Sequence, residues 1–375
     1  MKVVHVGKFY PPHWGGMETA LKDMCEVLSQ RVELDALVSA DGRSSIRETI
    51  RGVRIERLGS RGTLFSQPLA WGLGRRLRQL AADIVHLHEP NPLAMIQFLL
   101  SGSTAPLVIH YHSDIVKQKR LRWLYRPWLE AGLARAQAIV VGSGELLDNS
   151  PVLSRWKHKC AVIPFGIDLT RYLAIERPAP EPLFPRSQPL ILAVGRLAYY
   201  KGFQYLIEAM RSLPETRLAI VGEGPERKKL ESLITAADLA RRVELCGQLN
   251  DGDLLEMYRR ADLFCLPSCE RSEAFGLVQL EAMGSGLPVV STNLPTGMRA
   301  INRNGETGLV VPPRDAAALA SALSSLAGDP ALRAQMGAAA RNRASELYSR
   351  EVMGARLLEL YGAICRPEGV MSWST

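Results

Sequence analysis

Two series of short apolar segments, each alternating with helical segments, dominate this chain. The first series falls between residues 2 and 163, and the second falls between residues 190 and 310. Strands that are apolar along their whole length are typical of parallel sheets with helices on both faces. Because the alternation occurs twice, we predict an α/β protein made of two doubly wound domains. Such sheets bind ligands beyond the carboxyl ends of their strands.

A proline-rich segment separates the two series. The predicted strands of the first series are Lys2–Val6, Glu33–Val38, Val53–Leu58, Ile84–Leu87, Leu107–His110, Ala138–Val141 and Ala161–Ile163. Those of the second are Leu190–Val194, Arg217–Val221, Val243–Cys246, Leu263–Leu266, Val289–Ser291 and Gly308–Val310. Between them, residues 177–189 hold five prolines, too many for the interior of a helix or strand. We therefore predict a first domain over 1–170, a linker over 171–185 and a second domain over 186–345.

The charge of the chain is concentrated in its first part. The chain carries 46 Lys and Arg against 38 Asp and Glu, a formal net charge of +8, and residues 1–170 account for +7 of it. A basic excess is compatible with three partners: nucleic acid, an anionic membrane, or a phosphorylated small molecule. One predicted domain carries almost all of this excess, and there an acceptor at an anionic membrane is a better partner than nucleic acid.

Residues 114–135 combine basic and aromatic side chains in one segment. The basic residues are Lys117, Lys119, Arg120, Arg122, Arg126 and Arg135, and the aromatic residues are Trp123, Tyr125 and Trp128. The combination favours an interfacial helix on an anionic membrane surface, while a solvated charged face is the plainer alternative. No nucleic-acid recognition motif accompanies the charge, so we do not expect nucleic acid as a partner.

Three features bear on the compartment. The spacing of the six cysteines matches neither a zinc site nor a disulfide framework, which is typical of a reducing cytosol. The first residues have no secretory-signal pattern, and the longest apolar stretch, Pro92 to Leu100, is well short of the about 20 residues that a bilayer span needs. We therefore expect a cytoplasmic protein, with peripheral attachment to the inner face of the cytoplasmic membrane.

Two glutamates, Glu273 and Glu281, follow a predicted strand directly. If Gly276 opens a helix, Glu273 lies in the loop before it and Glu281 lies inside it, about 12 Å further along the axis. This separation roughly spans a nucleotide sugar. The backbone N–H groups between the two carboxylates, free to face a diphosphate, would be those of Phe275, Gly276, Leu277 and Val278. The plainer alternative is one carboxylate at a helix N-terminus and one ordinary surface glutamate.

A second candidate site follows the strand Leu190–Val194. Arg196 and Lys201 lie five residues apart in the turn after this strand. Two cations there suit a diphosphate leaving group, because arginine offers a fork of donors and lysine a point charge. Isolated loop cations are usually solvated, but glycines flank these two, so we predict phosphate binding. Gly224, in the turn after the next strand, is placed under the nucleotide.

Two further candidates lie in the first predicted domain. Gly15 and Gly16 precede a predicted helix, where the backbone can approach an anion closely. They do not form the G-x-G-x-x-G pattern of a dinucleotide site. His112 lies just beyond the strand Leu107–His110, where it could hydrogen-bond a sugar hydroxyl or orient an acceptor. A buried structural histidine is the plainer alternative.

Two patterns resemble metal sites only weakly. Asp251 and Asp253 precede apolar residues at helical spacing, which favours a helix cap. His86 and His88 share one face of a strand, but no third ligand is evident in the sequence. We therefore predict no metal site.

Taken together, these residues resemble family 4 of the retaining glycosyltransferases, which have the GT-B fold. The segments that carry the resemblance are Gly15-Gly16, residues 83–88, His112, residues 164–168, Arg196 with Lys201, and residues 273–290. Residues 272–296 look most like bacterial mannosyl- and rhamnosyltransferases of O-antigen or exopolysaccharide assembly. The resemblance implies two Rossmann-like domains that face a central cleft. It also implies a C-terminal crossover helix at about 346–375 that returns to the first domain.

The resemblance further implies a reaction, the transfer of a sugar from a nucleotide diphosphate donor with retention and without a metal or other cofactor. Arg196 and Lys201 would stabilise the departing diphosphate. Glu273 would hold the sugar hydroxyls, Glu281 the ribose, and His112 the sugar near the reacting carbon. The favoured donor is GDP-linked mannose or rhamnose. The acceptor would be a glycan or lipid-linked glycan of cell-surface polysaccharide synthesis.

Two alternatives stay open. UDP-sugar transferases share this scaffold, and the base is selected by loop contacts that the motifs do not reveal. An inactive nucleotide-sugar-binding subunit would also share the fold. That alternative requires a broken site, whereas Arg196, Lys201, Glu273, Glu281 and His112 are all present.

Overall fold

The chain divides into two compact units, each with its own parallel sheet. The structure, a computed structural model, describes residues 1–13, 15–64, 67–114, 119–176 and 188–366, with the backbone alone for 119–122. One unit comprises Met1–Gly166 and the C-terminal segment that begins at Arg350, and the other comprises Ile167–Ser349.

The first unit contains an eight-stranded sheet and a separate two-stranded one. Its elements are β1 (Lys2–Val6), α1 (Gly16–Leu28), β2 (Glu33–Ser39), β3 (Ile46–Ile50), β4 (Val53–Leu58), β5 (Ser60–Leu64), β6 (Gln67–Ala70), α2 (Leu73–Gln79), β7 (Ile84–Glu89), α3 (Pro92–Leu100), β8 (Leu107–Tyr111), α4 (Lys119–Arg135), β9 (Ala138–Val141), α5 (Gly144–Asn149), β10 (Cys160–Val162) and, after the second unit, α14 (Arg350–Cys365). The strand order is β10-β9-β8-β7-β1-β2-β4-β3, with β3 antiparallel to β4 and the other neighbours parallel. The chain builds outward from β1 through β2 and β4 and later adds β7 on the other side of β1. The carboxyl ends of β1 and β7 therefore flank a switch point, where open α/β sheets bind ligands.

The second unit contains a six-stranded, all-parallel sheet. Its elements are α6 (Thr170–Leu173), β11 (Leu190–Val194), α7 (Phe203–Ala209), β12 (Arg217–Val221), α8 (Arg227–Ala236), β13 (Val243–Gly247), α9 (Asp251–Arg260), β14 (Leu263–Leu266), α10 (Val278–Gly284), β15 (Val289–Thr292), α11 (Met298–Ile301), β16 (Gly308–Val311), α12 (Ala316–Gly328) and α13 (Pro330–Leu347). The strand order β13-β12-β11-β14-β15-β16 places the switch point between β11 and β14. Both segments singled out for phosphate and sugar binding in this part of the sequence follow these two strands.

Local sequence signals explain where several helices begin. The Asp315 carboxylate accepts a hydrogen bond from the Ala318 N–H at the start of α12, and Asp329 does the same for Leu332 at the start of α13. The last helix, α14, packs against α1. Gly354 allows that approach, because a Cβ atom there would lie 2.8 Å from a methyl carbon of Val27.

Every predicted strand is present, with ends within two residues of the prediction. The strands that the sequence analysis missed are β3 and β5, whose residues are largely polar or exposed, and β6, which is only four residues long and contains a proline. They lie at a sheet edge or in a hairpin, where full burial does not impose a continuous apolar run.

The final helix was predicted from residue 346, and this start is wrong. Helix α13 runs on to Leu347, and α14 begins only at Arg350. The turn between them is held at Ile167, whose N–H donates a hydrogen bond to the carbonyl of Tyr348. The second unit therefore already begins at Ile167, before the predicted boundary at residue 170. Residues 177–187 of the proline-rich segment, and 367–375 of the predicted crossover helix, lie outside the described residues.

Candidate active site

The strongest candidate site lies at the switch point of the second sheet. Lys201, after β11, and Glu273, after β14, form an ion pair with 2.6 Å between Nζ and Oε2. Their side chains are only 8% and 10% exposed. The hydroxyl of Ser268 donates a second hydrogen bond to the same carboxylate oxygen, at 2.9 Å. Two predicted site residues, 72 positions apart in the sequence, are thus joined in one buried charged pair.

Gly202 makes this pairing sterically possible. Its φ of +68° is in the left-handed region, and a Cβ atom there would lie 2.1 Å from the carbonyl oxygen of Pro267. The turn after β11 therefore lies directly on the turn after β14. A side chain at this position would force apart the two turns that carry Lys201 and Glu273.

Arg196 and Gly224 lie on the same edge of the sheet. Arg196 is exposed, two residues beyond the end of β11. Burial raises the pKa of the Tyr200 hydroxyl, and the positive charges of Lys201 and Arg196 act in the opposite direction. Gly224 packs on the turn after β11, since a Cβ atom there would lie 2.4 Å from the carbonyl oxygen of Leu197. The cations and the glycine turn predicted for the phosphates therefore share one loop cluster.

Gly276 does not open a helix, contrary to the prediction. It has a φ of +74°, and α10 begins two residues later, at Val278. A Cβ atom at Gly276 would lie 2.9 Å from both Gln279 and Leu266, so the turn is closed around the bare backbone. Phe275 is buried and packs edge-on against Tyr348.

Leu277 and Val278 are half-buried at the start of α10, whereas the side chain of Phe275 is enclosed by packing. Four residues were predicted to offer backbone N–H groups to a diphosphate. Leu277 and Val278 are the two that lie at the start of a helix, where backbone N–H groups have no partner within the helix.

Glu281 has two tyrosine partners that the sequence analysis missed. The Tyr258 hydroxyl donates a 2.8 Å hydrogen bond to Glu281 Oε2. Burial raises the pKa of the Glu281 carboxyl, while hydrogen bonds from Tyr258 and Tyr172 and the charge of Arg171 act to lower it. Tyr258 belongs to α9, where its helical spacing marks it as a core residue, and Tyr172 belongs to α6. Neither carries a sequence signal that connects it to Glu281.

Asp251 and Asp253 do not cap α9 themselves. The cap is Asn250, whose side-chain oxygen accepts hydrogen bonds from the N–H groups of Gly252 and Asp253. Asp251 instead pairs with Arg171 at 2.7 Å. These contacts give both aspartates structural partners in the first turn of the helix.

In the first unit, the carboxyl ends of β1, β7 and β8 bring several titratable groups together. His112, just beyond β8, is 6% exposed, and its backbone N–H donates a hydrogen bond to the backbone carbonyl oxygen of Glu89 at the end of β7. Burial raises the pKa of the Glu89 carboxyl to about 7 and lowers the pKa of Lys8 beyond β1. Glu89 and Lys8 were not singled out in the sequence, because no motif marks them.

Gly15 and Gly16 lie where the sequence analysis placed them, at the start of α1. Gly15 is the N-cap residue in extended conformation, and Gly16 is exposed. The carboxylate of Glu18 lies over this end of the helix, since a Cβ atom at Gly15 would lie 2.3 Å from Glu18 Oε2. An anion bound here would meet that carboxylate, which already complements the helix dipole.

One histidine cluster could be considered for a metal ion. His5, on β1, joins His86 and His88, and each offers a ring nitrogen within 4.8 Å of the others. This third histidine was not foreseen, because it lies on a strand distant in sequence. Hydrogen bonds already join these rings to one another and to Tyr361.

Helix α4 exposes an apolar stripe. Trp123 is 74% exposed, Leu124 is 64% exposed and Trp128 is 36% exposed. The opposite face buries Tyr125 and Leu129 in the first unit's core. Lys117 lies outside the described residues, as do the side chains of Lys119, Arg120 and Arg122. Across the part of the chain that the structure describes, no helix combines the length and apolarity needed to cross a membrane.

Comparison with known proteins gives matches over both units. A family model described as Glycosyl transferases group 1 matches residues 175–343, and one described as Glycosyltransferase Family 4 matches residues 14–171. The D-rhamnosyltransferase WbpZ of Pseudomonas aeruginosa is 33% identical over 357 residues, 93% of this chain and 92% of that protein. The O-antigen chain mannosyltransferase C of Escherichia coli is 29% identical over 367 residues, 96% of this chain and 98% of that protein. The crystal structure of HepE from Anabaena in complex with UDP has a TM-score of 0.79 at 20% identity, covering 97% of this chain and 100% of that one.

These likenesses define the class of protein: it is a glycosyltransferase enzyme with the GT-B fold. Within this class, the chain belongs to glycosyltransferase family 4. The fold and the family predicted from the sequence are both confirmed.

Proposed function

We propose that this enzyme is a retaining, metal-independent hexosyltransferase, which moves mannose or rhamnose from a GDP-sugar onto a glycan or lipid-linked glycan of a cell-surface polysaccharide. The observation that carries the proposal is the buried Lys201–Glu273 pair at the switch point of the second sheet. Support for the sugar and the pathway comes from the two relatives whose names specify rhamnosyl transfer and O-antigen mannosyl transfer.

The geometry of the second unit suits transfer from a nucleotide diphosphate sugar. Lys201 is held by Glu273 in a largely water-excluded turn, so its positive charge is oriented before a substrate arrives. Such a fixed charge stabilises a developing diphosphate without reorganisation. Arg196, exposed on the same edge, would add a second cation. No protein metal ligand is needed for this role, which is why we propose metal independence.

Two carboxylates would orient the donor. Glu273 would accept hydrogen bonds from sugar hydroxyls, and Glu281 would accept them from the ribose. The hydroxyl of Tyr258 holds the Glu281 carboxylate in place at 2.8 Å, so its orientation does not depend on the ligand. We assign His112, in the first unit, a hydrogen bond to the sugar.

The donor prediction is tested by thermal unfolding with a panel of nucleotide sugars. GDP-mannose or GDP-rhamnose at 100 times its dissociation constant is expected to stabilise the enzyme by about 2.7 kcal/mol, a rise of at least about 5 °C in Tm for a unit of this size. UDP-glucose is the competing donor, since one structural neighbour was solved with UDP. A larger rise with UDP-sugars would make the UDP alternative correct.

Metal independence is tested by measuring glycosyl transfer from the donor so identified, with and without excess EDTA. Transfer rates with EDTA are expected to match those without it. A loss of transfer that added Mg²⁺ restores would overturn this part of the proposal.

Peripheral membrane binding is the second part of the proposal. The exposed stripe Trp123, Leu124 and Trp128 offers apolar side chains of the kind that insert at a bilayer interface. Arg126, exposed on the same helix, offers charge for anionic headgroups. Such a helix would bring the enzyme to a lipid-linked acceptor at the inner face of the cytoplasmic membrane.

Replacing Trp123 and Trp128 together by serine is expected to weaken binding to anionic liposomes by more than about tenfold, since each buried tryptophan contributes roughly 1.5–3 kcal/mol. Liposome flotation measures this. The matched control is Trp71→Ser, a tryptophan of the same unit that is 65% exposed and lies outside α4. Equal losses in the double variant and in the control would show that α4 is not the anchor.

A further inference from the structure

Five of the seven histidines in the chain lie together on one face of the first sheet. His5 lies on β1 directly opposite His86 on β7, and His88 on β7 lies opposite His110 on β8. His112 follows two residues after His110, and the two-residue period of a strand gives it the same face. The first four are at most 1% exposed, while His112 is 6% exposed.

Four of these rings and one tyrosine form a continuous chain of hydrogen bonds. His86 Nδ1 lies 2.5 Å from the hydroxyl of Tyr361 on α14, and that hydroxyl lies 3.2 Å from His5 Nε2. His5 Nδ1 lies 3.0 Å from His88 Nε2, and His88 Nδ1 lies 2.9 Å from His112 Nε2. The chain therefore ends at His112, whose Nδ1 makes no hydrogen bond to another described residue and is left for a ligand.

Protons in such a chain have only two consistent arrangements. A neutral imidazole carries one N–H donor and one acceptor nitrogen. Burial keeps the rings neutral, since it lowers the pKa of both His5 and His112 to about 3 and that of the other buried histidines well below 6.5. If one link between two histidines reverses, every such link must reverse with it, because otherwise two donors or two acceptors would face each other. The Tyr361 oxygen could accept from both His86 and His5, but its buried hydroxyl proton would then have no acceptor among the described residues.

The sealed end of the chain selects one of the two arrangements. Among the described residues, His86 Nε2 is buried without a hydrogen-bond partner. If the protons ran from His112 towards His86, this nitrogen would carry an unbonded N–H. If the donors point from His86 towards His112, His86 Nε2 carries only an unused lone pair. Buried N–H groups without an acceptor are rarer than acceptors without a donor, so the second direction is favoured.

We propose that this chain fixes the tautomer of His112, so that its ring presents Nδ1–H as a hydrogen-bond donor. In this arrangement His86 Nδ1–H donates to Tyr361, Tyr361 O–H donates to His5, His5 Nδ1–H donates to His88, and His88 Nδ1–H donates to His112 Nε2. His88, His5 and Tyr361 are therefore positioning residues that act through His112.

The proposal defines the kind of ligand atom that His112 binds. An Nδ1–H donor requires an acceptor, such as a sugar hydroxyl oxygen, ring oxygen or carbonyl oxygen. A ligand group that can only donate would be rejected, because His112 Nδ1 could accept only in the reversed arrangement, which places a proton on the buried His86 Nε2 with no acceptor facing it. The choice of a sugar oxygen rests on the proposed function, whereas the tautomer itself does not. The proposal also gives Tyr361, in the last helix, a role in the site.

The tautomer is measured directly by nitrogen-15 NMR of the full-length enzyme labelled at histidine, without substrate. We expect His5, His86, His88 and His112 each to show a protonated Nδ1 and an unprotonated Nε2. A protonated Nε2 at His112, averaged shifts, or shifts typical of metal coordination would overturn the proposal. Because substrate is absent, the result does not depend on which sugar the enzyme transfers.

Tyr361→Phe tests how the buried end selects the arrangement, since it removes only the hydroxyl between His86 and His5. His5 Nε2 then becomes the buried nitrogen without a partner, so the same preference for an unused lone pair leaves a protonated Nδ1 on His5, His88 and His112. His86 loses the partner that fixes its tautomer, and we expect its single tautomer to be lost. The matched control is Tyr10→Phe, because Tyr10 belongs to the same unit, is 1% exposed and has no hydroxyl partner among the described residues. A protonated Nε2 at His112 in this variant would overturn the proposal, and an unchanged single tautomer at His86 would show that Tyr361 takes no part in the chain. If Tyr361→Phe does not fold, the wild-type spectrum alone decides.

Discussion

Lys201→Met is expected to lower the kcat of glycosyl transfer by about 10² to 10³-fold, the effect of removing one preorganised group that stabilises transition-state charge. Glu273→Gln is expected to lower it as well, because it removes the carboxylate that holds Lys201 at 2.6 Å and that we assign to the sugar hydroxyls. Initial-rate measurements with saturating donor determine both values. Lys228→Met, an exposed lysine of the same unit, serves as the control and is expected to retain full activity.

The burial of this pair separates its effect on stability from its effect on activity. Either single variant leaves one charge buried without its partner, which costs about 3–5 kcal/mol. The double variant Lys201→Met/Glu273→Gln removes both charges and is expected to recover most of this stability while staying inactive. Urea unfolding of the four proteins forms a double-mutant cycle.

Three results would contradict this account. Full activity in either single variant would remove Lys201 or Glu273 from the site. A double variant no more stable than the single variants would mean that the two charges do not depend on each other. Loss of activity that follows loss of stability in every variant would reduce the pair to a structural one.

In the second unit, the sequence predicted the individual site segments but not the contact between them. The motif around Glu273 and the turn around Lys201 were recognisable one at a time, because each follows a strand whose apolar run is evident. Their ion pair was not, because it depends on β11 and β14 being neighbours. Strand order comes from packing of the whole sheet, and the sequence of a single strand does not encode it. The hydrogen bond between Tyr258 and Glu281 was not predicted either, because it also depends on the packing of elements that are distant in sequence.

In the first unit, the sequence predicted one histidine of the site but not the cluster to which it belongs. His112 was found because it lies at the carboxyl end of an apolar strand, where the architecture predicts a site. The other histidines of this face carry no such signal in the sequence, since only the strand order β8-β7-β1 places them side by side. Gly276 illustrates a local failure. A glycine before a helix is compatible with either a helix start or a left-handed turn. Gly276 adopts the turn, with a φ of +74°, and the neighbouring Leu266 and Gln279 leave no room for a Cβ atom there.

Lowering the pH from 7 to 5 is expected to destabilise the first unit strongly. The folded pKa of His5 and His112 is about 3, against 6.5 in the unfolded chain, because burial disfavours the charged ring. Unfolded histidines therefore take up protons that the folded ones exclude. Stability is fully present above pH 6.5 and is lost as the pH falls towards 3, by about 1.4 kcal/mol per pH unit for each histidine.

Other buried groups modify this pH dependence. His86, His88 and His110 act in the same direction, since burial lowers the pKa of each. Glu89 acts in the opposite direction, because its folded pKa of about 7 gives it stability that grows as the pH falls from 7 to about 4.5. Five histidines outweigh one carboxyl, and a folded protein has only about 5–15 kcal/mol to lose. We therefore expect acid unfolding of this unit near about pH 5.

His110→Phe is the variant that isolates the cause of this acid lability. Among the described residues, neither ring nitrogen of His110 has a hydrogen-bond partner, and the ring stacks on Phe165 at 4.9 Å, so a phenyl ring can take its place. Urea unfolding between pH 5 and 8 gives the free energy of unfolding at each pH. We expect one proton less to be taken up on unfolding in this variant, so the slope of that free energy against pH should be lower by about 1.4 kcal/mol per pH unit. His158→Gln, at an exposed histidine, should leave the slope unchanged. An unchanged slope in His110→Phe would mean that its neutral, buried ring is not a source of the acid lability.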